Sequence, residues 1–260
     1  MARALIGGLR ASGVSGTQIY THDPDEARLD KLCQDFQLQA CASNQQLLET
    51  CDVIVLAVKP QAMHSVIKQL TPGGKKLFLS IAAGLRTDAI NNWFGSEQSL
   101  VRAMPNTPAL VRAGATGLFA TPQVSTRQRE IAEHIMRAVG ITVWVDDEGL
   151  LDAVTALSGS GPAYYFYLME AMEAAGIKLG LPAETARLLT IQTAFGAAKL
   201  ALEVEEEPRA LRERVTSPGG TTERAIQHLD NNKARDIIEG ALHAANERAA
   251  ELANLLEKES

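Results

Sequence analysis

The chain has no paired-cysteine framework, no basic block, no long apolar run and no glycine-rich phosphate fingerprint, and each absence removes a class of protein. Its cysteines, Cys33, Cys41 and Cys51, are odd in number and crowded into one short region with no histidine pattern nearby. That count argues against a disulfide scaffold and a zinc site, and it fits reduced cytosolic thiols with no metal. A formal charge of −6 without any compensating Lys/Arg-rich stretch argues against nucleic acid or an anionic membrane as partner. The apolar start, Met1 to Arg10, is short and broken by arginine, so it reads as neither signal peptide nor membrane span. No Ser-His-Asp or metal constellation stands out, and His64, His134, His228 and His243 are scattered. A small-molecule protein of the cytoplasm is what these exclusions leave.

The 260 residues, 46% of them hydrophobic, suffice for a large core in one big or two medium domains. Over residues 1–146 short apolar runs alternate with helical patterns, as in a parallel sheet with crossover helices. The clearest run, Asp52 to Val58, is continuous and β-branched, which fits a strand buried on both faces. Further strands are expected near 18–21, 77–82, 100–103, 115–120 and 142–145, with helices near 2–12, 24–35, 44–50, 61–70, 86–94 and 125–138. Past Asp146-Asp147-Glu148 the strand signals stop and helical patterns run almost to the end, so residues 147–260 read as an all-helical domain. Its helix near 182–204 has Ile191, Ala194, Phe195, Ala198, Leu200 and Leu202 around most of its circumference. A helix apolar nearly all round is buried on several sides, which in so small a domain points to a second subunit. The centre of a monomeric bundle is the other solution.

Doubly wound sheets bind ligands beyond the carboxyl ends of their strands. Three successive strand ends offer suitable residues: Ala57-Val58-Lys59-Pro60, Ala82-Ala83-Gly84, and Met104-Pro105-Asn106-Thr107-Pro108. Small side chains there admit a flat ring, and Lys59, Asn106 and Thr107 supply polar groups. The expected strand and Gly-x-Gly-x-x-Gly loop are not present; the sequence opens inside what reads as the first helix, so both are expected upstream. Tyr20-Thr21-His22-Asp23 ends the following strand, where an adenosine ribose is read. Thr21 and His22 tolerate a 2′-phosphate and Asp23 favours a free hydroxyl, which leaves NADPH and NADH both open. Asp23-Pro24 also fits a helix cap followed by a first-turn proline.

In the second half, Thr216-Ser217-Pro218-Gly219-Gly220-Thr221-Thr222 joins a rigid turn, two glycines and hydroxyls just before a predicted helix. The free N–H groups of a helix start bind an anion without a basic side chain, so this loop suits a small carboxylate. An ordinary turn and cap has the same composition. Ser158-Gly159-Ser160-Gly161-Pro162 interrupts a helical pattern, and freed backbone groups there could line a site.

Taken together these segments resemble the pyrroline-5-carboxylate reductases, with Val101 to Leu110, Leu157 to Tyr164 and Val215 to Thr222 carrying the resemblance beside Ala57 to Pro60. The resemblance implies an α/β fold: an N-terminal Rossmann-like doubly wound parallel sheet, its first strand missing, then an all-helical C-terminal dimerisation domain. It implies NADPH or NADH as cofactor, 1-pyrroline-5-carboxylate as substrate, and homodimers that assemble further into decameric rings. By the same resemblance Thr21, His22, Asn44, Ala57, Val58, Lys59, Pro60, Ala83, Met104, Asn106 and Thr107 face the cofactor. Ser217, Gly219, Gly220, Thr221 and Thr222 hold the substrate carboxylate, while Thr155 or Ser160 orients the imine proton and Glu205 stands close to the pocket. Two rivals are a non-catalytic truncated homologue and another imine reductase of the same plan. A β-hydroxyacid enzyme is disfavoured, because no lysine occurs between Lys76 and Lys178.

Overall fold

The computed structural model describes residues 1–258, which fall into two compact units: Met1–Ser160 with the segment from Ala244 onward, and Gly161–His243. The first unit holds α1 (Ala2–Ala11), β1 (Tyr20–Thr21), α2 (Glu26–Phe36), β2 (Gln39–Ala40), α3 (Asn44–Thr50), β3 (Val53–Leu56), α4 (Pro60–Ile67) and β4 (Leu77–Ser80). It continues through α5 (Thr87–Phe94), β5 (Ser99–Met104), β6 (Gly114–Ala120), α6 (Thr126–Arg137), β7 (Gly140–Trp144), α7 (Leu150–Val154) and a π-turn, Thr155–Gly159. The second holds α8 (Gly161–Lys178), α9 (Ala183–Glu203), α10 (Pro208–Arg214), α11 (Thr221–Asn231) and the start of α12 (Ala234–Lys258).

Two sheets form in the first unit. β1 and β2 pair in parallel, and β3-β4-β5-β6-β7 make a five-stranded sheet in that order. The strands of the larger sheet are parallel except at the β5–β6 pair, which is antiparallel. The sheet is thus parallel-dominated, as expected of the doubly wound plan, with one antiparallel pair. The short link of residues 105–113 is too brief for the helical crossover that a parallel neighbour requires, so the chain turns back on itself.

Alternating side chains send two cores to opposite faces of the sheet. Ile54, Leu56, Phe78 and Leu100 pack under α3, α4 and α5 around Leu48, Met63, Ile67, Ile90 and Trp93. On the other face Leu77, Leu79, Val101, Ala103 and Leu118 meet Leu5 of α1 and Ala132 and Met136 of α6. Helices therefore cover both faces, as expected for a doubly wound unit. Among the described residues β3 stands last in the five-stranded sheet, with Ile54 and Leu56 buried and Val53 and Val55 half-buried.

Helix starts follow local chemistry. Ser43 and Ser125 cap α3 and α6 with their hydroxyls, and Pro60 opens α4, where its missing N–H breaks no helical bond. The cap of α2 is Asp25, whose side chain accepts from the Arg28 N–H, not Asp23; Asp23 instead accepts from the Asp25 N–H.

The compact units do not divide at residue 146. Leu151 and Val154 of α7 press on Gly117, at 3.1 and 2.7 Å from where a Cβ on that glycine would stand, and tie residues 150–160 to the sheet. The end of α12 also returns to the first unit, burying Ala249 and Ala253 and packing Leu256 on the cluster that includes Ala82 and Leu85. Among the described residues no helix is long and apolar enough to cross a membrane.

Candidate functional site

The carboxyl ends of β3, β4 and β5 point to one edge, because those three strands are parallel neighbours. Residues following them there are small and open: Ala57, Ala83 and Thr107 are exposed, and Val58 and Pro60 are half-buried. Lys59 is exposed and stands at the N-cap of α4, beside the N–H groups that a helix start leaves without helical partners. Gly84 takes a left-handed conformation, φ 75°, and a Cβ there would lie 3.2 Å from the Leu256 side chain. The turn after β4 is thus held flat by its glycine and backed by α12.

The residues expected around an adenosine are arranged at the small sheet. Thr21 ends β1, and His22 places its Nδ1 at 3.0 Å from the Cys41 carbonyl after β2. Asn44, half-buried, is the first residue of α3.

Asn106 behaves differently from the other strand-end residues. It is 9% exposed; its Oδ1 accepts from the Ala115 N–H at 2.9 Å and its Nδ2 donates to the Ser158 carbonyl at 3.1 Å. Each end of the carboxamide is thereby engaged by a protein partner. Met104 lies beside it, with its methyl 2.7 Å from the position a Cβ on Gly159 would take.

The expected break near Ser158 to Pro162 is a π-turn, a form that leaves helical carbonyls without their usual partners. The Thr155 hydroxyl donates to the Leu151 carbonyl at 2.7 Å, the Ser158 hydroxyl to Val154 at 3.0 Å, and the Ser160 N–H to the Thr155 carbonyl at 2.8 Å. Since the Thr155 hydrogen is committed inward, its oxygen is left as an acceptor.

In the second unit the loop from Ser217 leads into α11 with Gly220 as N-cap. Gly219 has φ 73°, a conformation that costs a side chain of L configuration about 1 kcal/mol or more. Its N–H donates at 2.8 Å to the Glu223 carboxylate, and the Gly220 N–H donates to the Ser217 carbonyl at 3.0 Å. The loop already holds a carboxylate, its own. Thr221 is exposed and Thr222 half-buried at the start of the helix. Glu205 is exposed in the link between α9 and α10, next to Glu206, which pairs with Arg214.

Two roles escaped the sequence reading. Glu223 was legible as the acid three residues after a cap, the usual reach-back to a helix start. The Asn106 bridge had a subtler signal, Pro162 four residues after Ser158. A cavity of about 570 Å³ elsewhere in the first unit is lined by Asp88, Glu97, Asp146, Asp147 and Glu148, a charge that repels any anionic cofactor or substrate. Among the described residues no cluster of His, Cys, Asp and Glu could hold a metal.

The comparisons decide between the enzymes this geometry allows. Residues 148–252 match the family model for pyrroline-5-carboxylate reductase dimerisation, and residues 1–84 match that for NADP oxidoreductase, coenzyme F420-dependent. A pyrroline-5-carboxylate reductase of Pseudomonas aeruginosa is 52% identical over 98% of this chain and 94% of its own. The chain belongs to the pyrroline-5-carboxylate reductase family. Members of this family catalyse the last step of proline biosynthesis. Among solved structures, the reductase of Coxiella burnetii superposes with a TM-score of 0.94 at 46% identity, covering 96% of this chain and 94% of that one. The Plasmodium falciparum pyrroline carboxylate reductase, solved with NADP bound, gives 0.83 at 29% identity, covering 96% and 93%. The reductase family thus accounts for both units of the chain.

Proposed function

We propose that this chain reduces 1-pyrroline-5-carboxylate to proline at a site whose cofactor half is the edge beyond β3, β4 and β5. The observation that carries the reading is that edge itself: three neighbouring parallel strands end in small, open residues beside a lysine at a helix start. Its donor set fits NADPH or NADH, with Lys59 for a phosphate, Ala57, Val58, Pro60 and Ala83 against a flat ring, Met104 and Thr107 flanking it, and Thr21, His22 and Asn44 toward the adenosine. A reduced nicotinamide bound there supplies the hydride for the C5 carbon of the substrate.

Everything else falls to side chains and backbone. The imine must be protonated to accept hydride well, and a protonated imine needs an acceptor for its N–H. Thr155 has that polarity, because its own hydrogen is bound to Leu151. Ser160, one turn on, shares this role, and Glu205 supports the positive charge of the imine from farther away. Ser217, Gly219, Gly220, Thr221 and Thr222 hold the substrate carboxylate, which displaces Glu223 from the Gly219 N–H. This half serves the nicotinamide half of a partner protomer, within homodimers that assemble further into decameric rings. Rotational freedom lost by two bound, flat reactants is the main catalytic contribution of such a site, and it requires no nucleophile. The three free thiols suit a reducing, cytoplasmic setting.

The test is the oxidation of NADPH, followed by its absorbance, on addition of pyrroline-5-carboxylate. Stoichiometric formation of proline is the expected result. A chain that binds NADPH yet leaves it unoxidised would instead be a non-catalytic homologue or a reductase of another imine.

A further inference from the structure

We propose that Asn106 is a positioning residue that holds the π-turn carrying Thr155 and Ser160 in register with the strand edge, a role that rests on the function proposed above. In a regular helix the Ser158 carbonyl would accept from the N–H of residue 162. Residue 162 is proline and has none, so the sequence itself strips that carbonyl of its helical donor. Asn106 supplies the replacement: its Nδ2 lies 3.1 Å from the Ser158 oxygen.

The other end of the same carboxamide is equally fixed. Its Oδ1 accepts from the Ala115 N–H at 2.9 Å, at the start of β6, and the residue is 9% exposed. One planar group therefore joins the loop after β5, the strand β6 and the π-turn. The bridge needs an acceptor on one side and a donor on the other, and the carboxamide supplies both from the two ends of one planar group. Gly159 completes the contact: the Met104 methyl stands 2.7 Å from where its Cβ would be, so the turn lies closely against the end of β5. Thr155 and Ser160 are joined through the turn by the bond of 2.8 Å from the Ser160 N–H to the Thr155 carbonyl. A shift of the Ser158 carbonyl therefore moves both hydroxyls, while the residues beyond β3 and β4 stay where they are.

Asn106→Asp tests the role. The carboxylate keeps the size of the residue and the acceptor for Ala115, but turns an oxygen toward the Ser158 oxygen and repels the turn. We expect kcat to fall by about 10- to 100-fold, the effect of a misplacement on the order of 1 Å. The dissociation constant of NADPH, from its fluorescence on binding, stays within about twofold of the unaltered protein, because no cofactor contact is lost. Asn106→Ser, uncharged and too short to bridge, is the second variant should the aspartate hinder folding, and the same split is expected.

A melting temperature that falls while kcat of the folded protein is unchanged would overturn the proposal, leaving Asn106 a purely structural bond. Weakened NADPH binding with kcat at saturation retained would also overturn it, making the amide a cofactor contact. An unaltered chain without reductase activity removes the function itself; either of the two results above leaves that function standing and removes only the role of Asn106.

Discussion

The two compact units bury their apolar residues very differently. In the first, apolar side chains from β4, β5 and β6 and from the covering helices are completely enclosed, among them Phe78, Met63, Ile67 and Leu118 at 0% exposure. In the second, only Gly161, Ala186 and Thr190 are buried, while Tyr167, Leu188, Phe195 and Leu202 are exposed by 76, 67, 60 and 80%. The first unit is thus a complete core within one chain. The second has the surface of half a core, for soluble monomers do not leave so much aliphatic and aromatic area in water. Its family model is one of dimerisation, and the exposed helices show the physical need behind it. A second copy converts that surface into an interior.

The sharpest way to break the contrast is to make the second unit unable to be covered. Leu188→Asp with Phe195→Asp puts two charges, seven residues apart on α9, where a partner must bury them. Since an unpaired buried charge costs several kcal/mol, the dissociation constant of the dimer rises at least about 1000-fold. Light scattering after gel filtration will find monomers, with reduced helical circular dichroism and no activity. A variant that stays dimeric at micromolar concentration would show that α9 lies outside the interface.

A change in the first unit has the opposite character. Glu148 accepts from the Thr87 N–H at 2.8 Å, the Thr87 hydroxyl at 2.6 Å and the Arg102 guanidinium at 3.0 Å, and the Arg102 side chain is 3% exposed. Glu148→Ala leaves that cation buried without a partner, at about 3–5 kcal/mol. Denaturant unfolding will show the loss, while the protein that remains folded keeps its dimer constant. A change in assembly instead would erase the distinction between the units.

The smallest effect sharpens the loop before α11. Glu223→Ala removes the resident carboxylate from the Gly219 N–H and clears it for the substrate. We expect KM for pyrroline-5-carboxylate to fall about threefold, and the lost helix-start interaction to lower stability by about 0.5–1 kcal/mol. An unchanged or raised KM would place the substrate carboxylate elsewhere.

Much of this was legible in advance because it depends on neighbours in sequence. Periodic apolar runs announced β4 through β7, and Ser43, Ser125 and Pro60 mark helix starts through bonds that span at most a few residues. The loop at Gly219 was readable for the same reason, since its left-handed glycine and the following helix are local features. The antiparallel direction of β6 was not readable, because it depends on the space into which a link of residues 105–113 can fold. The compact units meet at residue 160, not 146, because of packing that no local pattern announces: Leu151 and Val154 lie against Gly117, and the end of α12 returns to the first unit.

By itself, then, the sequence determined the two-part plan, the chemistry of the strand ends and loop, and through them the family, since all of these are written in contiguous residues. Tertiary structure alone decided what those residues are free to do. It turned Asn106 inward as a bridge to Ser158 and set the Glu148 carboxylate on Thr87 and the buried Arg102. A hydrogen-bonding group has only a few bonds to give, and which partners take them is fixed only when distant segments meet.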